Sequence, residues 1–203
     1  LGDVYKRQVS IHDPPINEDG ESEGIENFIG MDPPDHGKQR AAVSPSVAPS
    51  NLANLEPLIR ERAIDILDKL PTGREFNWVE EVSIELTARM LATLFDFPYE
   101  DRRKLVYWSD ITTDIPEVTG SLDYDKESRQ KDFQECAETF YQLWSERAAI
   151  PPKFDLISML AHGDSTKDML QNPRLFLGNI LLLLVGGNDT TRNSISGGVI
   201  GLN

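Results

Sequence analysis

Cysteine occurs once in the 203 residues, at Cys136. A single thiol excludes an internal disulfide framework and suits a reducing cytoplasm. Long apolar runs are missing too: the longest, Ile180 to Val185, falls far short of the roughly 20 residues that span a bilayer. No secretory signal is legible at the N-terminus. Basic residues are scarce, with 20 Lys and Arg against 34 Asp and Glu and a formal net charge of −14. That balance argues against nucleic acid and anionic membrane surfaces as partners. Strand-like alternation, internal repeats and low-complexity tracts are almost absent. No Gly-x-Ser-x-Gly elbow or Ser-His-Asp order suggests a hydrolase. His12 and His162 stand alone in loop-like segments, without metal-ligand spacing.

What is present is helical periodicity and enough apolar content, 39%, for one sizeable core. The chain begins with Leu1 rather than Met and stops inside a helical pattern. Residues 1–8 (LGDVYKRQ) resemble adapter-derived translation, so 9–203 is expected to be part of a longer domain. An acidic, loop-like stretch runs from Val9 to Gly30. Asp32 then reads as the N-cap of a helix with Pro33 and Pro34 in its first turn, ending near Ser44 before Pro45 and Pro49. A stripe of Leu55, Leu58, Ile59, Ala63, Ile66, Leu67 and Leu70 predicts the next helix. Asn77 and Glu80 form a capping-box-like start for a third, with Val79, Val82, Leu86, Met90, Leu91 and Leu94 inward. A shorter helix near Glu100 to Asp110 leads into a loop from Ile111 to Tyr124. Phe133, Cys136, Ala137, Phe140, Tyr141 and Trp144 mark another amphipathic helix, and Cys136 on that stripe reads as an inert core thiol. A short segment from Asp155 to Ala161 precedes a last helix from Pro173. The fold class is mainly α.

Two constellations carry chemistry. Gly186-Gly187-Asn188-Asp189-Thr190-Thr191 follows the apolar run. Each glycine costs a helix interior about 1 kcal/mol relative to alanine. One reading ends a helix at the glycines and caps another with Asn188 or Asp189. The other keeps a single helix, bent so that a small ligand can approach, with Asp189 and Thr190 passing protons from solvent. Local pattern leaves both open. In the second constellation, His36 and Arg40 sit four apart on the helix after Asp32-Pro33-Pro34 and project from one face. Two such donors suit a ligand bearing carboxylates, although considered alone they read more simply as a solvated face.

Together, Asp32-Pro33-Pro34-x-His36-x-x-x-Arg40 and Gly186-Gly187-x-Asp189-Thr190-Thr191 resemble the cytochrome P450 superfamily of haem-thiolate monooxygenases. The resemblance runs from the loop before that fold's C helix to the middle of its I helix, which makes the expected fold a truncated P450. Met90-Leu91-Ala92-Thr93-Leu94-Phe95-Asp96-Phe97-Pro98 and Val185 to Ser194 are most similar to the soluble bacterial alkane and fatty-acid terminal hydroxylases. The resemblance implies haem as cofactor. His36 and Arg40 would bind its propionates, and Gly186 and Gly187 would make room for dioxygen. Thr190 would steer protons to it, with Asp189 linking that relay to solvent. It implies substrate contacts at Phe28, Ile29, Leu182 and Val185, with the last two expected to share one cavity. The Ile111 to Tyr124 loop would be an entry lid. Electrons would come from NAD(P)H through ferredoxin reductase and ferredoxin, with Lys38 near that docking surface.

The axial thiolate of such enzymes lies downstream of the I helix, so Cys136 cannot supply it. The 203 residues alone are expected to be inactive. The expected function is hydroxylation of medium-chain alkanes or fatty acids at the terminal carbon. Alternatives are a hydroxylase of terpenoids or other small apolar molecules, and a non-catalytic helical ligand-binding or interaction protein.

Overall fold

A computed structural model describes residues 26–114 and 126–202. All regular elements among them are helical, and none is long and apolar enough to cross a membrane. The acidic N-terminal stretch through residue 25 and residues 115–125, which hold most of the expected lid, lie outside the described residues.

A 3-10 turn at Phe28–Gly30 is capped by Asn27, whose side chain accepts from the Gly30 N–H. The first helix, α1 (Asp35–Val43), starts later than expected. Asp32 does not cap it with its side chain. Its main-chain carbonyl instead accepts from the Asp35 and His36 N–H groups at 3.1 and 3.2 Å, so Pro33 and Pro34 belong to the turn before the helix. In α2 (Pro49–Asp68), Pro49 opens the helix rather than interrupting the chain, because its missing N–H falls at an end where none is needed. The α2 stripe is peripheral: Ile66 is buried, whereas Leu67 faces solvent.

Asn77 caps as expected, its side chain accepting from the Val79 and Glu80 N–H groups at 3.0 and 3.3 Å. A π-helical turn, Val79–Ile84, then precedes α3 (Glu85–Phe95). A π turn holds more residues than an α turn, so it rotates everything after it relative to a count from Val79. The buried face of α3 is therefore Thr87, Ala88, Leu91, Ala92 and Phe95, and Val79 is exposed. Asp96 ends α3 in the left-handed conformation, φ 49°, with the Phe97 N–H closing onto the Ala92 carbonyl. Its carboxylate accepts from Arg147 and Lys153 at 2.7 and 3.0 Å.

Helix α4 (Arg102–Thr113) takes in Ile111, Thr112 and Thr113, three residues assigned above to a loop. Helix α5 (Lys126–Ala148) follows the expected stripe except at Tyr141, which faces solvent. Phe140 is its centre, within 5.5–5.9 Å of the Phe95, Phe97 and Trp108 rings. Burial pushes the neighbouring Cys136 thiol well above its ordinary value. Asp155 caps α6 (Leu156–His162) by accepting from the Ser158 N–H at 2.8 Å. Helix α7 (Pro173–Leu202) is a single helix through both glycines, which settles the junction question left open above. Its first half is the central post of the core: Phe176, Ile180, Leu181 and Leu184 are all buried.

One ion cluster ties α2, α3 and α4 together. Glu85 accepts from Arg89 at 2.7 Å and Arg102 at 2.9 Å and pairs with Arg103 at 3.0 Å, while Arg89 also reaches Asp65 at 2.7 Å. Burial pushes the Glu85 carboxyl up, but hydrogen bonds from Arg89 and Arg102 outweigh it and hold the group below its ordinary 4.5. A carboxyl depressed on folding contributes stability above its unfolded value, and that contribution is lost as pH falls through the folded one. Urea-unfolding midpoints should therefore drop below pH 4.5, and Glu85→Gln should flatten that acid limb.

Candidate functional site

Along α7, Leu182, Leu183, Gly186 and Gly187 recur at i, i+1, i+4 and i+5, which places them on one face of the helix. That face walls a cavity of about 370 Å³ whose other sides are Leu91, Leu94 and Phe95 of α3, Arg40 and Val43 of α1, and the Phe28–Ile29 turn. Ser44, Val47 and Leu156 complete it. The lining is apolar except for Ser44 and the Arg40 side chain. Arg40 makes no ion pair among the described residues.

A buried amide holds these walls together. Asn179, on α7, accepts from the Phe28 N–H at 2.8 Å through Oδ1 and donates to Gln39 Oε1 at 2.9 Å through Nδ2. Both ends of the amide are thus used at once, fastening the Phe28 turn and α1 to α7. Arg40 follows Gln39 in the chain and reaches the cavity. His36 does not line it. Its ring stands edge-on to Phe28, centroids 6.3 Å apart.

The two glycines do different work. A Cβ built on Gly187 would lie 2.8 Å from Leu91 Cδ2, whereas one on Gly186 would meet nothing within 4 Å. Gly187 lets α3 pack close, and Gly186 leaves the cavity wall open. Thr190, one turn on, donates its hydroxyl proton to the Gly186 carbonyl at 2.9 Å. Asp189 points elsewhere, to the α4 side, where Oδ1 accepts from Arg192 at 2.9 Å and from Asn188 at 3.3 Å. Arg192 also donates to Asp110 of α4 at 2.8 Å. Burial pushes the Asp110 carboxyl up, Arg192 opposes this, and Asp189 and Glu80 add to the rise.

The structure therefore gathers Phe28, Ile29, Arg40, Leu182, Gly186 and Gly187 at one cavity, with His36 behind Phe28. Val185, Asp189 and Thr190 are not in its lining. Val185 was expected beside Leu182, but it lies about 130° round the helix from the middle of the face that Leu182, Leu183, Gly186 and Gly187 share, so Leu183 lines the cavity in its place. Sequence reasoning also missed Asn179 and Arg192, although a lone amide inside an apolar helix is itself a signal. Among the described residues, no three His, Cys, Asp or Glu side chains gather as a metal site. Lys38, on the outer face of α1, pairs with Asp35 at 3.0 Å beside a larger open groove toward Gly163–Ser165.

No family model matches the chain. Linalool 8-monooxygenase of Pseudomonas putida is 33% identical over 86% of this chain and 42% of its own length. CYP153D17 from Sphingomonas sp. PAMC 26605 superposes with a TM-score of 0.75 at 44% identity, over 88% of this chain and 44% of that one. Cytochrome P450-153 from Novosphingobium aromaticivorans gives 0.71 at 42% identity, over 85% and 40%. The chain belongs to the cytochrome P450 superfamily. It spans about 40% of the length of the P450s it matches, and its helical fold is that of the corresponding part of a P450.

Two stability outcomes follow for this P450 chain. Gly187→Ala should be less stable than Gly186→Ala by about 1–3 kcal/mol, because Leu91 has to move only in the first. Asn179→Ala should cost about 2–4 kcal/mol, since it strands the Phe28 N–H and Gln39 Oε1 without partners. Urea-unfolding midpoints of the three variants check both.

Proposed function

We propose that this chain is the oxygen-facing side of a P450 monooxygenase. The substrates are medium-chain alkanes or fatty acids, hydroxylated at the terminal carbon, with electrons drawn from NAD(P)H through ferredoxin reductase and ferredoxin. The observation that carries the reading is Gly186, a gap in the wall of an apolar cavity that Arg40 also lines.

A haem is a flat, mostly apolar ring with two carboxylates on one edge, and the residues present fit it. The cavity wall is apolar where a ring would lie, and the Arg40 guanidinium, which has no ion-pair partner among the described residues, suits a carboxylate. Arg40 would bind one propionate, with His36 adding a second bond from the same helix. Bound haem supplies dioxygen activation and the oxidation of an unactivated C–H bond. Residues 9–203 would form one part of that domain. Its thiolate ligand is not Cys136, which is fully buried in the α5 core and held as a thiol.

The remaining residues position, seal and move protons. Gly186 leaves room for a small diatomic ligand. Leu182 and Leu183 exclude water on the α7 side, and Phe28 and Ile29 cover the cavity from the N-terminal side. The Thr190 hydroxyl spends its proton on the Gly186 carbonyl, so its oxygen lone pairs remain to accept from water. Asp189 Oδ2 accepts from no group among the described residues, which suits a carboxylate that takes and passes a proton. An apolar lining with no convergent charge selects a hydrocarbon by shape.

The two solved relatives described above, at 42% and 44% identity, are both P450s numbered 153, and the apolar lining carries the hydrocarbon reading. The relative named linalool 8-monooxygenase favours a second reading, hydroxylation of a terpenoid. The complete protein, supplied with ferredoxin, its reductase and NAD(P)H, should convert octane to its terminal alcohol. Oxidation of linalool with octane left untouched would replace the first reading by the second. In the same assay, Thr190→Ala should lower product formed per NAD(P)H by roughly tenfold or more, with peroxide making up the difference. An unchanged ratio would count against Thr190 as a proton carrier.

A further inference from the structure

Helix α1 presents three stripes, each about 100° round the axis from the next. Gln39 and Val43 are buried, and Gln39 meets Asn179 of α7 at 2.9 Å. Arg40 and Ser44 line the cavity. Lys38 and Ala42 face the turn after α6, residues 163–165, beside the open groove. There Ser165 Oγ donates to the Lys38 carbonyl at 3.0 Å. A Cβ built on Gly163 would stand 3.3 Å from Ala42 Cβ. One turn of α1 is thus held on two sides, by residues 127 and 140 away in sequence.

The turn is built as a rigid stop. The Gly163 carbonyl accepts from the Thr166 and Lys167 N–H groups at 3.0 and 2.8 Å. The Thr166 hydroxyl, on a fully buried residue, donates to the Leu160 carbonyl at 2.6 Å and fastens the turn to α6. A side chain at Gly163 has no room, since its Cβ would lie 2.5 Å from Thr166 Oγ1 and 3.0 Å from the Met159 carbonyl oxygen. That close approach brings Ser165 within reach of the α1 backbone.

We propose that Ser165 is a positioning residue for Arg40: the turn that carries it fixes the rotation of α1, and with it where the guanidinium stands in the cavity. This rests on the reading of Arg40 as a group that binds a haem propionate. The stripe on Lys38 and Ala42 cannot rotate without carrying Arg40 through the same angle. A rotation of about 10° moves a group about 6 Å from the axis by about 1 Å. Hydrogen bonds tolerate a spread of only about 0.5 Å in length, so such a rotation would spoil the Arg40 contact. The Gln39–Asn179 bond alone is one fixed point, about which α1 can still turn. Ser165 supplies the second.

The test uses the complete, haem-loaded protein and follows haem loss to an excess of a haem-scavenging apoglobin. It compares wild type, Ser165→Ala, Arg40→Ala and the double variant Ser165→Ala/Arg40→Ala. Arg40→Ala should speed haem loss about tenfold or more, because a charged hydrogen bond is removed. Ser165→Ala should speed it about threefold, the size expected when a surface hydrogen bond is lost. In the Arg40→Ala background, Ser165→Ala should change nothing further, because the arm it positions is gone. Urea-unfolding midpoints of all four keep folding defects separate. A threefold increase that persists without Arg40 marks a bond that merely stabilises α1 and overturns the positioning role, as does a Ser165→Ala rate equal to wild type. If Arg40→Ala leaves haem loss unchanged, the propionate reading falls and the positioning role falls with it.

Discussion

The arrangement of the cavity depends on one buried side chain, Asn179. It sits in an otherwise apolar half of α7, where a polar group is expensive unless every atom is satisfied. Its carbonyl oxygen takes the Phe28 N–H and its amino group gives to Gln39. No carboxylate could do both, since it has no proton to donate, and no aliphatic side chain could do either. The two partners are 151 and 140 residues away in sequence, so a single amide joins the beginning of the described chain to its central helix. Leucine packing around α7 stabilises the core without choosing a register. The amide chooses one, and Arg40 reaches the cavity as a result.

Much of this was legible in the sequence. Pro173 as a helix start, Asn77 as a cap, and the α5 stripe through Cys136 and Phe140 follow rules that operate over three or four residues. Those rules hold because the physics is local: a missing N–H, an acceptor within reach, a repeat of 3.6. The π turn at Val79–Ile84 was not legible, because its sequence differs little from an ordinary helical turn and its cause lies in what packs against it. The same limit applied to Val185 and Leu183. Neighbours in sequence stand 100° apart on a helix, and a face can be assigned only once the partner helix is known.

The site divides in the same way. Gly186 and Gly187 stood out as costly residues in a helix interior, and His36 and Arg40 gained meaning only when taken together with them, whereas Asp110 and Arg192 looked like ordinary surface charges. Their meaning comes from pairing across 82 residues. The two glycines were legible as a pair but not as individuals. Only the 2.8 Å approach of Leu91 distinguishes the one that admits a neighbour from the one that leaves a space.

The π turn has a consequence for how this segment can change over evolutionary time. A helix carrying such a turn differs from a regular one by about a single extra residue. Deleting one residue between Val79 and Ile84 would leave a well-formed helix, yet its two ends would no longer agree in phase. The Asn77 cap and Val82 would keep their places while Leu91 swung away from Gly187, or the reverse. Length in this stretch is therefore under stricter control than composition. Substitutions there can drift, but a one-residue gap cannot be absorbed locally, and its effect would surface twelve residues away against the cavity wall.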